Sequence, residues 1–312
     1  VRFVFERDLF PTLTDPDVVA AGAEAHGLQP ADEIIGVWYG GRARAYPVRV
    51  LQHYHAVNDT LGDQPLLLTF CVVCSSGTVW NPVHRNRRLT FGFEGIHAGL
   101  PVYYDHQTKT RWFHMTGRAF DGWYAGVHLE PITHARYTTW REWRLAHPGT
   151  DVVPAPADIP ASHQDAQVTF RGSTFMPPLM RTTLPPADER LPANELLFGI
   201  QEGSHARAYP LSAIKRAGGV LHDKVGAREV SLWLAPGGET VVAYDARIGK
   251  EALHFEWDHE GTLRDRESQS IWSLDGECVD GPLFGARLEA IHGHLTEWYG
   301  WYATYPRTLL RK

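Results

Sequence analysis

The chain has only three cysteines, no run of basic residues and no long uncharged apolar stretch. Each absence removes a class of protein. Three cysteines cannot build a disulfide framework. Without a basic run or stripe, a nucleic-acid surface is not expected. Without an apolar stretch of roughly 18 residues, no integral membrane helix is expected. The opening Val1-Arg2-Phe3-Val4-Phe5 lacks the basic-then-apolar pattern of a secretory leader. The expectation is a cytoplasmic chain, or an exported one whose signal has been removed. What is present is apolar substance: 312 residues, 43% hydrophobic and 12% aromatic, with 11 tryptophans. That composition buries a large core and excludes a disordered chain. The formal charge of −6 is mild for this length.

The chain repeats itself. Ala43-Arg44-Ala45-Tyr46-Pro47 recurs as Ala206-Arg207-Ala208-Tyr209-Pro210, each after a strand-like run. Asp105, Thr108, Trp112, Gly117, Asp121-Gly122 and Gly126 are echoed in order by Asp265, Ser268, Trp272, Gly276, Asp280-Gly281 and Gly285. Trp140, Trp143, Pro148 and Thr150 match Trp298, Trp301, Pro306 and Thr308. Ordered matches of this kind mean duplication. The expected organisation is a first repeat over 1–152, a Pro-rich linker over 153–193 and a second, degenerate repeat over 194–312.

Within each repeat the short apolar runs, such as Leu66 to Phe70 and Thr240 to Tyr244, are bounded by Gly, Asp and Asn and predict strands. Helical patterning is confined to Val48–Val57, Thr139–Ala146 and Leu211–Arg216, the first and last opened by Pro47 and Pro210. The predicted fold is mainly β with a few short helices (α+β), two tandem β-rich repeats packed as a pseudo-symmetric pair. The prolines of the linker predict extended chain.

Duplication supplies an internal control: residues in both copies are scaffold, and those in one copy are the better functional candidates. Cys71-Val72-Val73-Cys74 exists only in the first copy, where the second has Leu234 to Gly238. Most of the 17 histidines do not match across the copies either; His53, His55, His84, His97, His106 and His114 all fall in the first. Cys278 lies opposite Ala119 and reads as a small buried hydrophobe.

Three readings of the cysteine pair stay open. Two thiols at this spacing can aim at one metal ion, the remaining ligands coming from histidines. They can form a thiol-disulfide couple, although strand-like sequence on both sides lacks the helix N-terminus that usually lowers such a thiol's pKa. They can also be two buried hydrophobes. His55 reads as a ligand or base, oriented by Asp59 if Gln52–Asp59 is helical, since the two would then lie one turn apart. The second copy also has an aspartate there, Asp223, so Asp59 reads equally as scaffold. His53, His97, His106 and His114 are weaker candidates to complete or flank the site. Thiolate with imidazole, and Met115 beside His114, favours copper, with zinc as runner-up.

The motifs together resemble a known family. Phe10-Pro11-Thr12-Leu13-Thr14-Asp15-Pro16, the Ala-Arg-Ala-Tyr-Pro strand, His55-x-x-Asn58-Asp59-Thr60, Thr69-Phe70-Cys71-x-x-Cys74, Tyr104-Asp105 to Trp112, and Asp188-Glu189-Arg190-Leu191-Pro192 are similar to the domain-of-unknown-function family DUF3179. The resemblance runs over nearly the whole chain and implies no activity, because the family's is not known. Two departures stand out: Val72 replaces a proline usual in the family's Cys-Pro-Leu-Cys, and His114 replaces a glutamine. Many relatives look exported or lipid-anchored, which would suit an extracytoplasmic location here.

The expected function is metal binding, with copper held by Cys71, Cys74 and His55 in an oxidoreductase acting on a small-molecule substrate. The alternatives are a non-catalytic Cu(I) or zinc carrier or sensor, a thiol-disulfide oxidoreductase using Cys71 and Cys74, a structural zinc site, and a hydrolase with a cysteine nucleophile. Composition and spacing leave the oligomeric state open.

Overall fold

In the computed structural model the described residues are 3–22, 27–156, 159, 176–238 and 240–311. Of the Pro-rich linker, residues 157–158 and 160–175 lie outside them. Strands dominate, and the described helices are five short ones. The chain divides into two compact units, 1–195 with 296–306, and 196–295 with 307–312.

The first unit holds three larger sheets and the small hairpin of Val83–His84 with Arg87–Arg88. Glu33–Tyr39 and Arg42–Pro47 form a hairpin closed by Gly40-Gly41, both at positive φ (58° and 78°), which suits a two-residue turn matched to strand twist. Arg136–Thr139, Asp151–Val152 and Val19–Ala20 extend that sheet. Ala56–Leu61, Gln64–Cys71 and Ser76–Trp80 follow as a meander, joined by Leu13–Thr14. Phe91–His97, Leu100–Asp105, Arg111–Phe113 and Ala119–Asp121 form the third sheet. Leu66 to Cys71 is buried at every residue, so this strand is covered on both faces, as its run of apolar residues, broken only by Thr69, requires.

The first helix is Val48–Tyr54, shorter than its sequence pattern suggested. His55 turns left-handed (φ 57°) and closes it with an N–H bond to the Leu51 carbonyl. The chain then leaves as the strand Ala56–Leu61. His55 and Asp59 are therefore not helical neighbours. Asp59 instead accepts Arg44 at 2.8 Å and the Tyr46 hydroxyl at 2.7 Å, which makes it part of the framework. Trp140–Ala146 is a helix capped by Thr139, whose hydroxyl accepts the Glu142 N–H.

The second unit pairs Leu196–Glu202 with His205–Pro210, and the helix Leu211–Arg216 follows over the range its sequence indicated. Val220–Val225, Arg228–Leu234 and Val241–Asp245 form a meander, and Phe255–Trp257 to Cys278–Asp280 a four-stranded sheet. Here Asp223 accepts the Tyr209 hydroxyl at 3.1 Å and pairs with Arg207 at 3.2 Å. Cys278 is buried in a core with Trp233, Phe255 and Trp272. No described helix is long and apolar enough to cross a membrane.

Candidate functional site

Cys71 ends one strand and Ser76 faces it from the next, so Val72 to Ser75 make a four-residue loop at the tip of a hairpin. Ser75 takes the left-handed turn (φ 54°) that brings the chain back. The turn folds the two cysteines together, and the Cys74 N–H donates to the Cys71 sulfur at 3.3 Å. Both side chains are buried and both thiols are free.

A chain of polar groups leads away from Cys74. Its sulfur lies 2.9 Å from the Ser76 hydroxyl, which lies 2.7 Å from Nε2 of His114. Nδ1 of His114 is 2.8 Å from the Thr69 hydroxyl, and Thr69 is 2.6 Å from that of Thr78. One assignment of protons satisfies every link: each group donates to the next, from the thiol outward to Thr78. His114 is thus tied to the thiol pair through one serine.

The two thiols are shifted in opposite senses. Burial, with Cys74 alongside, pushes the Cys71 thiol well up. Burial also opposes ionisation of Cys74, but hydrogen bonds from Cys71, Ser76 and Thr296 outweigh it and bring that thiol below its ordinary value.

Two tyrosines close over the pair. The Tyr103 hydroxyl donates to the carbonyls of His55 and Phe70 at 3.0 and 3.3 Å. Tyr299 comes from the helix Trp298–Thr304 and is only 2% exposed. Burial, and then the thiols of Cys74 and Cys71, push its phenol far up. Its hydroxyl meets no nitrogen or oxygen partner among the described residues. The same segment supplies Glu297, whose N–H donates to the Cys74 carbonyl at 3.0 Å.

The other candidates lie around this centre without joining it. His55 is buried, with Nδ1 3.2 Å from the Phe70 carbonyl and its ring 4.1 Å from that of Phe10. Burial lowers its pKa to about 4, the Phe70 carbonyl opposing and His53 adding to the shift. His53 is half-buried and sits edge-on to Tyr54. His106 is exposed, held by Thr90 at 3.0 Å. His97 is half-buried and lines a cavity of about 220 Å³ together with Phe113, His114, Met115 and Arg118. Among the described residues no three His, Cys, Asp or Glu side chains gather into a metal-holding group. The hairpin therefore brings together Cys71, Cys74 and, through Ser76, His114. It does not add His55, His53, His97 or His106 as a third ligand.

Sequence reasoning missed Ser76 and Tyr299. Ser76 carries no signal in the sequence, and its place opposite Cys71 follows from strand register. Tyr299 lies in a remote segment whose repeat motif, Trp298 and Trp301, gives no sign that the residue between them meets the cysteines.

The molecule is thus a mainly β chain of two compact units, with a buried thiol pair in the first. Residues 7–308 match the model of the family described as "Protein of unknown function (DUF3179)", and the chain belongs to that family. No curated protein and no solved structure matches it.

Proposed function

We propose that the chain is a copper-binding protein of the oxidoreductase class, with Cys71 and Cys74 as the ligands. The observation that carries this reading is the hairpin turn, which sets the Cys74 N–H on the Cys71 sulfur at 3.3 Å and brings the two thiols within hydrogen-bonding reach of each other. Two soft sulfurs without a third ligand suit Cu(I) better than zinc, which in structural sites asks for four. Zinc is the runner-up. Copper so held supplies a one-electron Cu(I)/Cu(II) couple, with a small organic donor and dioxygen as acceptor. His55, His53, His97, His106 and His114 flank the site in this reading.

Elemental analysis of untagged protein, as isolated and after Cu(I) loading, tests it. One copper per chain is expected, lost in Cys71→Ser and Cys74→Ser. Metal content unchanged by either variant overturns the reading. Oxygen consumption with a reductant then separates an enzyme from a carrier or sensor.

A second reading is a dithiol–disulfide couple, favoured by the Ser76–His114 chain that could take the proton of Cys74. Two thiols would become one disulfide, releasing two protons and passing two electrons to a partner disulfide. Complete burial of both sulfurs counts against exchange with a bulky partner. Mass spectrometry after mild oxidation decides: the dithiol reading requires the loss of two hydrogens, reversed by reductant.

We also infer that the chain arose by duplication, with repeats over 1–152 and 194–312 joined by 153–193. The Arg–Asp–Tyr constellation of Arg44, Asp59 and Tyr46 recurs as Arg207, Asp223 and Tyr209, which supports this.

A further inference from the structure

The cavity of about 220 Å³ in the first unit has no established occupant. Leu100, Pro101, Phe113, Met115 and Ala303 give it mostly apolar walls. No aspartate or glutamate lines it. Arg118 does; it is exposed, and no acidic partner for it is present among the described residues. His97, His114, Thr116 and Thr304 complete the polar part of the lining.

Size, shape of the lining and charge each restrict the ligand. Drug-sized ligands occupy about 300–1,000 Å³, so this cavity takes something smaller. The apolar walls ask for a hydrocarbon body, planar or branched. A guanidinium with no carboxylate nearby asks for an anionic end, which it can hold with paired hydrogen bonds. A cationic ligand would meet one positive group and no negative one.

We propose that this cavity binds a small organic carboxylate with an apolar body, of the size of benzoate or phenylacetate, with Arg118 as the anion-recognising residue. His114 belongs both to the cavity wall and to the hydrogen-bonded chain that ends on Cys74. A ligand here is therefore placed beside the thiol site, and its role as substrate rests on the oxidoreductase reading above. Its binding does not.

The test is calorimetric titration of the full chain with benzoate and phenylacetate, and with benzamide and phenylacetamide as neutral controls. The acids are expected to bind at least about tenfold more tightly than the amides, the equivalent of about 1.4 kcal/mol for a charge-assisted contact. Arg118→Gln, at an exposed position, should abolish that preference while leaving the fold intact. Ala303→Phe should fill the cavity and eliminate binding, with the circular dichroism spectrum confirming that the variant folds. Equal affinity for acid and amide overturns the proposal, as does absence of binding by either acid at millimolar concentration, or binding unchanged in Arg118→Gln. The titration is repeated on Cys71→Ser/Cys74→Ser: acid binding retained there keeps the site even if the copper reading fails.

Discussion

The Asp105 carboxylate accepts the indole N–H of Trp112 at 3.0 Å while also accepting the backbone N–H and hydroxyl of Thr108. Asp265 treats Trp272 and Ser268 the same way, the indole lying at 2.9 Å. Both carboxylates are fully buried, so removing either leaves several donors without an acceptor. Asp105→Ala and Asp265→Ala should each cost about 3 kcal/mol, read from denaturant midpoints. A cost near zero for either would mean that the turn holds without its carboxylate.

Asp59 and Asp223 should differ. Arg44 and Asp59 are only 9% and 4% exposed at their side chains, against 24% and 14% for Arg207 and Asp223. Asp59→Ala leaves the buried Arg44 guanidinium only Asp151 at 3.3 Å and the Thr60 carbonyl, and should cost about 3 kcal/mol. Asp223→Ala leaves one that water can reach and should cost about 1 kcal/mol. Equal losses in urea unfolding would show that exposure does not decide the matter.

His55 should make stability depend on pH. Its folded pKa is lowered to about 4 from 6.5. Between those values the unfolded chain binds a proton that the folded chain refuses. The contribution is therefore complete above the unfolded value, falls as the pH drops towards 4, and is level below it. Its full size is about 3 kcal/mol. His55→Asn tolerates the left-handed backbone and lacks the titrating ring, so it should lose this slope. A slope retained in that variant would place its origin elsewhere.

Gly99 supports Tyr299. A β-carbon there would stand 2.4 Å from Leu184 and 3.2 Å from the Tyr299 ring, on a backbone with φ +73°. Gly99→Ala should destabilise by about 1–3 kcal/mol. By shifting the ring that covers Cys74 it should also speed alkylation of the thiols by iodoacetamide. Alkylation at the wild-type rate would mean that Tyr299 does not shield them.

The parts legible in the sequence were those written in local pattern. Leu211–Arg216 is a helix over the expected range because apolar spacing and the preceding proline agree. The first helix ends at Tyr54 rather than Val57 because His55 adopts a left-handed conformation. Nothing in the composition of Gln52-His53-Tyr54-His55 announces that turn. The cysteine pair was legible from its spacing, and His114 from its departure from the family pattern. The link between them was not, because Ser76 reaches His114 only once the third sheet has been laid beside the hairpin. Asp59 was ambiguous from spacing alone, and its bonds to Arg44 and Tyr46 make it framework.

The segment 296–306 belongs with residues 1–195, although a hundred residues of the other unit intervene. During synthesis the hairpin carrying Cys71 and Cys74 emerges long before Thr296, Glu297 and Tyr299 exist. A nascent chain must therefore carry its two thiols without the cover of Tyr299 until more than two hundred further residues are made, the interval in which they are most open to capture by an ion or an oxidant.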